Sequence, residues 1–235
     1  MTVRTGMAVA AVAALTAVAA SGCATETPDY QSIWSTTSAA SAEPTSTTDE
    51  APLPLANYLE DAGVIGRPVA PDKLTDITVS IPTPPGWHPY QNTNLAPGTR
   101  MIAKGDTYPT AMLMVFELDG DFDVAEALSH AAVDAEMSQN FHKLNSSTDD
   151  FAGFPSSMIE GSYDLNGARM HTYNRVVIAT GAPVRTEGGP PAAQQYLVQF
   201  TATGYADKAV EDADDIETII DGFTVTVPNP ADAPR

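Results

Sequence analysis

Cysteine is almost absent from this 235-residue chain: Cys23 stands alone, so no disulfide can form within it and any folded domain is held by packing. Basic residues are scarce as well. Eleven Lys and Arg face thirty Asp and Glu, a formal net charge of −19 that repels nucleic acid and anionic lipid head groups. Solubility accounts for such acidity more simply than cation binding does. The apolar run at residues 7–20 has fourteen residues, short of the roughly twenty that span a bilayer.

Recognisable catalytic and metal patterns are missing too. His88, His130, His142 and His171 have no spacing that puts two on one helical face, and neither H-E-x-x-H nor paired cysteines accompany them. No metal site and no cofactor is therefore expected. Asp119, Asp121 and Asp123 alternate like the start of a calcium loop, but Val124 and His130 stand where an EF-hand needs Gly and Glu. They read instead as a loop and as charge at a helix N-terminus. G-x-S-x-G is absent, and Ser156 and Ser157 have no neighbouring base in sequence, so no residue is assigned a catalytic role.

What the chain does carry at its start is an export signal. Arg4 and the amino terminus form a positive n-region, residues 7–20 an apolar stretch, and Ala20-Ser21-Gly22-Cys23 a lipobox. Residues 1–22 are read as a lipoprotein signal peptide and Cys23 as the lipid-attachment residue. Cleavage removes Arg4 and no acid, leaving ten Lys and Arg against thirty Asp and Glu, a net charge of −20. Attachment to the outer face of the cytoplasmic membrane then rests on acyl chains at Cys23, each buried methylene contributing about 0.8 kcal/mol.

From residue 23 to 52 the composition turns to Ser, Thr, Pro and Ala, with nine Ser or Thr between Ser35 and Thr48. Such a segment buries too little to offset its ordering entropy. It reads as a flexible tether reaching roughly 30 Å. Residues 53–228 are read as one globular domain, and 229–235 as a C-terminal tail.

Within the domain, periodicity predicts a helix at 53–62 and strands at 76–81, 99–104 and 110–118. Asp123 with Glu126 forms a capping box opening a main helix, in which Val124, Leu128, Ala131 and Ala135 share a stripe. Strands follow near 144–149 and at 156–165, 168–180 and 194–204, with Asn166-Gly167 as a hairpin turn. Residues 181–193 read as a surface loop. A last helix turns Ala209, Ala213, Ile216 and Ile220 inward and Glu211, Asp212, Asp215 and Glu217 to water, before a closing strand at 223–227. The pattern is α+β: a mostly antiparallel sheet with helices on both faces.

Trp87, Tyr90, Tyr108, Tyr163, Tyr173 and Phe200 lie in or beside strands, where a sheet can gather them into a pocket for a sugar or lipid or use them as ordinary core. Arg169 and Arg175, six apart on one strand face, fit either a hydroxyl-rich or anionic ligand or pairing with local carboxylates. Trp87, Tyr108, Tyr163, Tyr173 and Arg175 are the ligand-binding candidates.

Several motifs in one order carry a family likeness. The run Leu118-Asp119-Gly120-Asp121-Phe122-Asp123 with Glu126-Ala127-Leu128, then Phe151-Ala152-Gly153-Phe154-Pro155-Ser156, Glu160-Gly161-Ser162-Tyr163 and Tyr173-Asn174-Arg175, resembles the mycobacterial LpqN/LpqT lipoproteins. Asn57-Tyr58-Leu59, Pro85-Gly86-Trp87, Tyr196-Leu197-Val198-Gln199 and the 215–223 segment extend it. The resemblance implies a Mog1/PsbP-like α/β/α sandwich and supplies no catalytic residues. It also implies a lipid-anchored envelope protein, a non-enzymatic binding module for trehalose-type glycolipids beside MmpL-type transporters. A protein-binding adaptor or host-interacting effector is the alternative.

Overall fold

The computed structural model describes residues 52–91, 94–184 and 192–228; the signal peptide, Cys23, nearly all of the tether and the C-terminal tail lie outside them. The chain enters the fold through α1 (Leu55–Asp61), which buries Leu55 and Leu59 and ends at Gly63, whose φ of +76° suits a residue without Cβ. Strand β1 (Ile65–Pro68) follows, then β2 (Thr78–Ser80), β3 (His88–Pro89), β4 (Arg100–Ala103) and β5 (Thr110–Asp119). After α2 (Val124–Ser129) and α3 (Val133–Glu136) come β6 (His142–Ser147), β7 (Ser156–Leu165), β8 (Ala168–Thr180) and β9 (Gln195–Tyr205). Helix α4 (Ala209–Asp221) and β10 (Thr224–Thr226) complete the described residues.

The main sheet runs β3-β4-β5-β9-β8-β7-β6, antiparallel throughout, and β1 pairs with β5 beyond the end of β4. Strands β5 and β9 therefore lie mid-sheet, covered on both faces, and read as nearly continuous apolar runs. On one face Leu113, Val198 and Phe200 pack with Ile219 of α4 and with Val79 and Val225 of the small β2-β10 sheet. On the other, Met112, Met114, Phe116 and Leu197 meet Leu55 and Leu59 of α1 and Ala127 and Leu128 of α2. Helices thus cover both faces of an antiparallel sheet. Among the described residues no helix is long and apolar enough to cross a membrane.

The β7-β8 hairpin has its expected bounds, turning through Asn166 and Gly167 at φ of +50° and +79°. Other expectations need correction. The main helix after Asp123 is broken: Asp123 Oδ1 does cap the amides of Ala125 and Glu126, but the amides of His130, Ala131 and Val133 each bond three residues back. His130 is pulled into tertiary contact, its Nδ1 2.9 Å from the Leu53 carbonyl and its ring stacked on Tyr58, which tightens the chain there. The strand at 76–81 is shorter and leaves the main sheet for β10. Strand β1 was not foreseen, since Gly66 and Pro68 are poor strand formers. The centre of the 181–193 loop lies outside the described residues, but its base is a bridge between Val184 and Ala192.

Candidate functional site

On the α1 face, the far ends of β8 and β9 carry polar side chains where the centre of a sheet ordinarily carries apolar ones. Thr172 and Asn174 of β8 lie opposite Thr203 and Thr201 of β9. They form one chain of hydrogen bonds: Thr201 Oγ1 donates to Asn174 Oδ1 at 2.9 Å, Asn174 Nδ2 donates to Thr172 Oγ1 at 3.3 Å, and Thr172 and Thr203 hydroxyls meet at 3.1 Å. This ladder floors a groove of about 450 Å³, within the range of small-molecule sites. Ala131, Asp134, Ala135 and Ser138 form one wall, and Tyr163 and Asn166 of the β7-β8 hairpin another. Tyr108 closes one end, set edge-on to Tyr205 with ring centres 5.3 Å apart.

Among the described residues no Lys, Arg or His lines the groove. Its charges are two carboxylates: Asp134 is held above its usual range by loss of water, although much of the residue stays open to solvent. Asp164 is held below its usual range by hydrogen bonds first from Asn140 and then from Arg169. Such a site disfavours anions and suits a neutral ligand rich in hydroxyls.

The five residues singled out from the sequence divide between the two sheet faces. Tyr108 and Tyr163 line the groove. Trp87, Tyr173 and Arg175 are on the α4 face, where Tyr173 packs against Phe200 at 5.8 Å between ring centres and Trp87 is 6% exposed. Arg175 is committed internally: Nε donates to Tyr173 Oη at 2.8 Å, Nη1 to Ser156 Oγ at 3.0 Å, and the guanidinium sits 4.9 Å over the Phe151 ring. Arg169 pairs with Asp164 at 3.0 Å. The aromatics therefore do not form a single pocket. Ser156 and Ser157 are both buried, and Ser156 donates to the Asp149 carbonyl. Of the histidines, His171 meets Glu160 at 3.0 Å and His130 holds Leu53.

The sequence reading missed the groove floor, although a signal was there. Thr172 and Asn174, then Thr201 and Thr203, repeat at a period of two on strands apolar enough to be central.

Helix α4 also differs from expectation, with Asp212 and Asp215 turned inward rather than to water. Lys104 Nζ lies 3.1 Å from Asp212 and 2.9 Å from Asp215, and Trp87 Nε1 donates to Asp215 at 3.2 Å. Lys104 is raised above its ordinary value, first by its bond to Asp215, while Asp215 is lowered, first by Lys104 and then by Trp87. A lowered carboxylate stabilises the fold above its unfolded pKa and loses that contribution as pH falls through its folded value. A raised lysine does so below its unfolded value and loses it as pH rises through its folded one. Lys104→Met is accordingly expected to lower the urea midpoint at pH 7, with the gap to wild type closing below about pH 4. A gap that stays constant with pH would assign it to packing.

The family model described as "Probable lipoprotein LpqN" matches residues 51–226. The chain is 59% identical over 219 residues to lipoprotein LpqT of Mycobacterium tuberculosis, covering 93% of each. It is 34% identical over 185 residues to the proline-rich 28 kDa antigen of the same species, covering 77% of this chain and 56% of that one. The crystal structure of LpqN, involved in cell envelope biogenesis of Mycobacterium tuberculosis, matches with a TM-score of 0.61 at 21% identity, over 76% of this chain and 100% of the other. That likeness shows the sandwich fold alone. With relatives matched along nearly its whole length and the family model spanning the folded domain, the chain belongs to the LpqN/LpqT family of lipoproteins.

Proposed function

We propose that the protein is an envelope lipoprotein, acylated at Cys23, whose domain binds the hydroxyl-rich headgroup of a neutral, trehalose-type glycolipid without transforming it. The observation that carries the reading is the groove: a hydroxyl and amide floor, tyrosines at its edges and, among the described residues, no cation in its lining. Hydroxyls of a sugar exchange hydrogen bonds with Thr and Asn side chains, and its C–H faces lie against tyrosine rings. The polar floor is a poor host for an acyl chain, which stays outside. Membership of a lipoprotein family supports export and anchoring. The involvement of LpqN in cell envelope biogenesis agrees with a glycolipid ligand, which an MmpL-type transporter in the same membrane would supply.

The test is calorimetric titration of the protein purified from a mycobacterial host with trehalose monolaurate below its micellar concentration. Saturable binding is expected, weakened about tenfold or more by Asn174→Leu, which opens the ladder. Dodecyl phosphate is expected not to compete. A flat titration, or competition by the phosphate, would sink the reading. The intact mass of the same preparation reads the acyl groups on Cys23, which Cys23→Ala loses.

A second reading, a protein-binding adaptor, has one observation in its favour. Strand β6 ends the sheet with its residues His142–Asn145 exposed, an open edge that can accept another strand.

A further inference from the structure

We infer that the protein has a second ligand site, on the face of the sheet away from the groove: a pocket under the first half of α4 that takes a small organic ammonium ion, its apolar body inside and its charge on Glu217. The inference does not rest on the glycolipid reading. The pocket holds about 160 Å³ and opens to solvent, with Tyr173, Tyr205, Ile216 and Ile220 of its lining only half-buried. A cavity of roughly 150 Å³ is enough to bind benzene.

Its origin is legible in the packing. A single tight turn, Ala206–Lys208, folds α4 back over the strand before it, so the start of the helix lies above the end of β9. Toward α4, β9 presents Phe200, then Ala202 and Gly204, while α4 presents Ala209 and Ala213, then Ile216 and Ile220. The small ends meet, and their side chains do not fill the space. Gly204 is not forced by its backbone, which has no positive φ, and a Cβ there would meet nothing nearer than Pro109 at 3.5 Å, an ordinary contact. Glycine inside a strand weakens it, and its recurrent use is to let a ligand or another backbone come close.

Charge selects the ligand class. Three carboxylates and, among the described residues, no Lys or Arg line the pocket. Two are already engaged, Asp212 by Lys104 at 3.1 Å and Glu160 by His171 at 3.0 Å. Glu217, one turn on from Ala213, has no ion pair or hydrogen bond among the described residues. An anion beside an apolar pocket with tyrosine rings in its wall favours a cation with an apolar body over a neutral or anionic molecule of the same shape.

The test is an amide NMR titration of the purified protein with three ligands of one shape: benzylammonium, benzyl alcohol and benzoate. Benzylammonium is expected to shift Ala202, Gly204 and Ala213 saturably, with Kd on the order of 1 mM. Benzyl alcohol is expected to bind about threefold more weakly, the contribution of one exposed ion pair, and benzoate not to saturate. Glu217→Gln, at an exposed position, is expected to erase the preference for the amine over the alcohol. Ala213→Leu fills the pocket without changing any charge, and is expected to abolish both ligands' shifts while leaving affinity for trehalose monolaurate unchanged. No saturation, shifts confined to the groove, binding that survives Ala213→Leu, or a preference that survives Glu217→Gln would each overturn the inference. Should Ala213→Leu fail to fold, the location of the shifts and the Glu217→Gln comparison still decide it. None of these outcomes bears on the trehalose ester, so the two readings fail separately.

Discussion

Phe200→Ala is expected to destabilise the domain by about 3–5 kcal/mol, the usual cost of deleting a buried aromatic ring from a core that cannot collapse around the gap. Phe200 is fully buried at the centre of β9. Its ring lies 4.9 Å from Phe223, which in turn stacks on Phe151 at 4.8 Å, and it supports Tyr173 on its other side. One truncation therefore loosens the joint between the sheet, the end of α4 and the segment under Arg175. Urea denaturation read by far-ultraviolet dichroism measures it, and a loss under about 1 kcal/mol would show that the rings around it repack. Because Phe200 faces away from the groove, affinity for trehalose monolaurate is expected to hold at temperatures where the variant stays folded.

Gly181→Ala is expected to cost about 2–5 kcal/mol through a different mechanism, overpacking combined with a broken buried hydrogen bond. A Cβ at Gly181 would overlap the Asp76 carboxylate and crowd the Tyr196 ring. Asp76 has nowhere to go: it is 7% exposed, its Oδ1 accepts from Tyr196 Oη at 2.6 Å, and its carbonyl accepts from the Ala182 amide at 2.8 Å. Burial and this carboxylate together push the Tyr196 hydroxyl well above the ordinary tyrosine range, so it remains a donor at any working pH. Thermal unfolding of Gly181→Ala beside Tyr196→Phe separates the causes. Equal losses would mean that the hydrogen bond accounts for all of it and the overlap for nothing.

The parts of the fold that were legible are those where local chemistry and long-range packing ask for the same thing. Asn166-Gly167 demands positive φ and therefore a hairpin, and alternation along 168–180 gives β8 its bounds. Where a distant partner decides, local pattern misleads. His130 breaks the helix because Leu53 and Tyr58 hold it, and β1 exists because β5 offers it an edge. Asp212 and Asp215 turn inward because Lys104, more than a hundred residues away, neutralises them there. The candidate site was half legible. Tyr108 and Tyr163 do line the groove, whereas Trp87, Tyr173 and Arg175 share sequence features with them but lie behind the sheet. Aromatic residues on strands do not declare which face they take unless register is known. Polar residues recurring on a mid-sheet strand do, because burial there would otherwise select against them.

The contact of His130 with the Leu53 carbonyl also bears on the proposed function. Leu53 lies at the start of the described residues, and the neighbouring Ala131 and Leu55 line the groove. If the proposed function holds and Cys23 is acylated, the chain that links it to Leu53 joins the domain beside the groove. Under that proposal, capture of a lipid from the same leaflet would be a nearly intramolecular event, with an effective concentration on the order of millimolar set by the length of the linking segment. Weak affinity in free solution would then suffice at the membrane, and lengthening that segment would slow loading without touching a single contact in the groove.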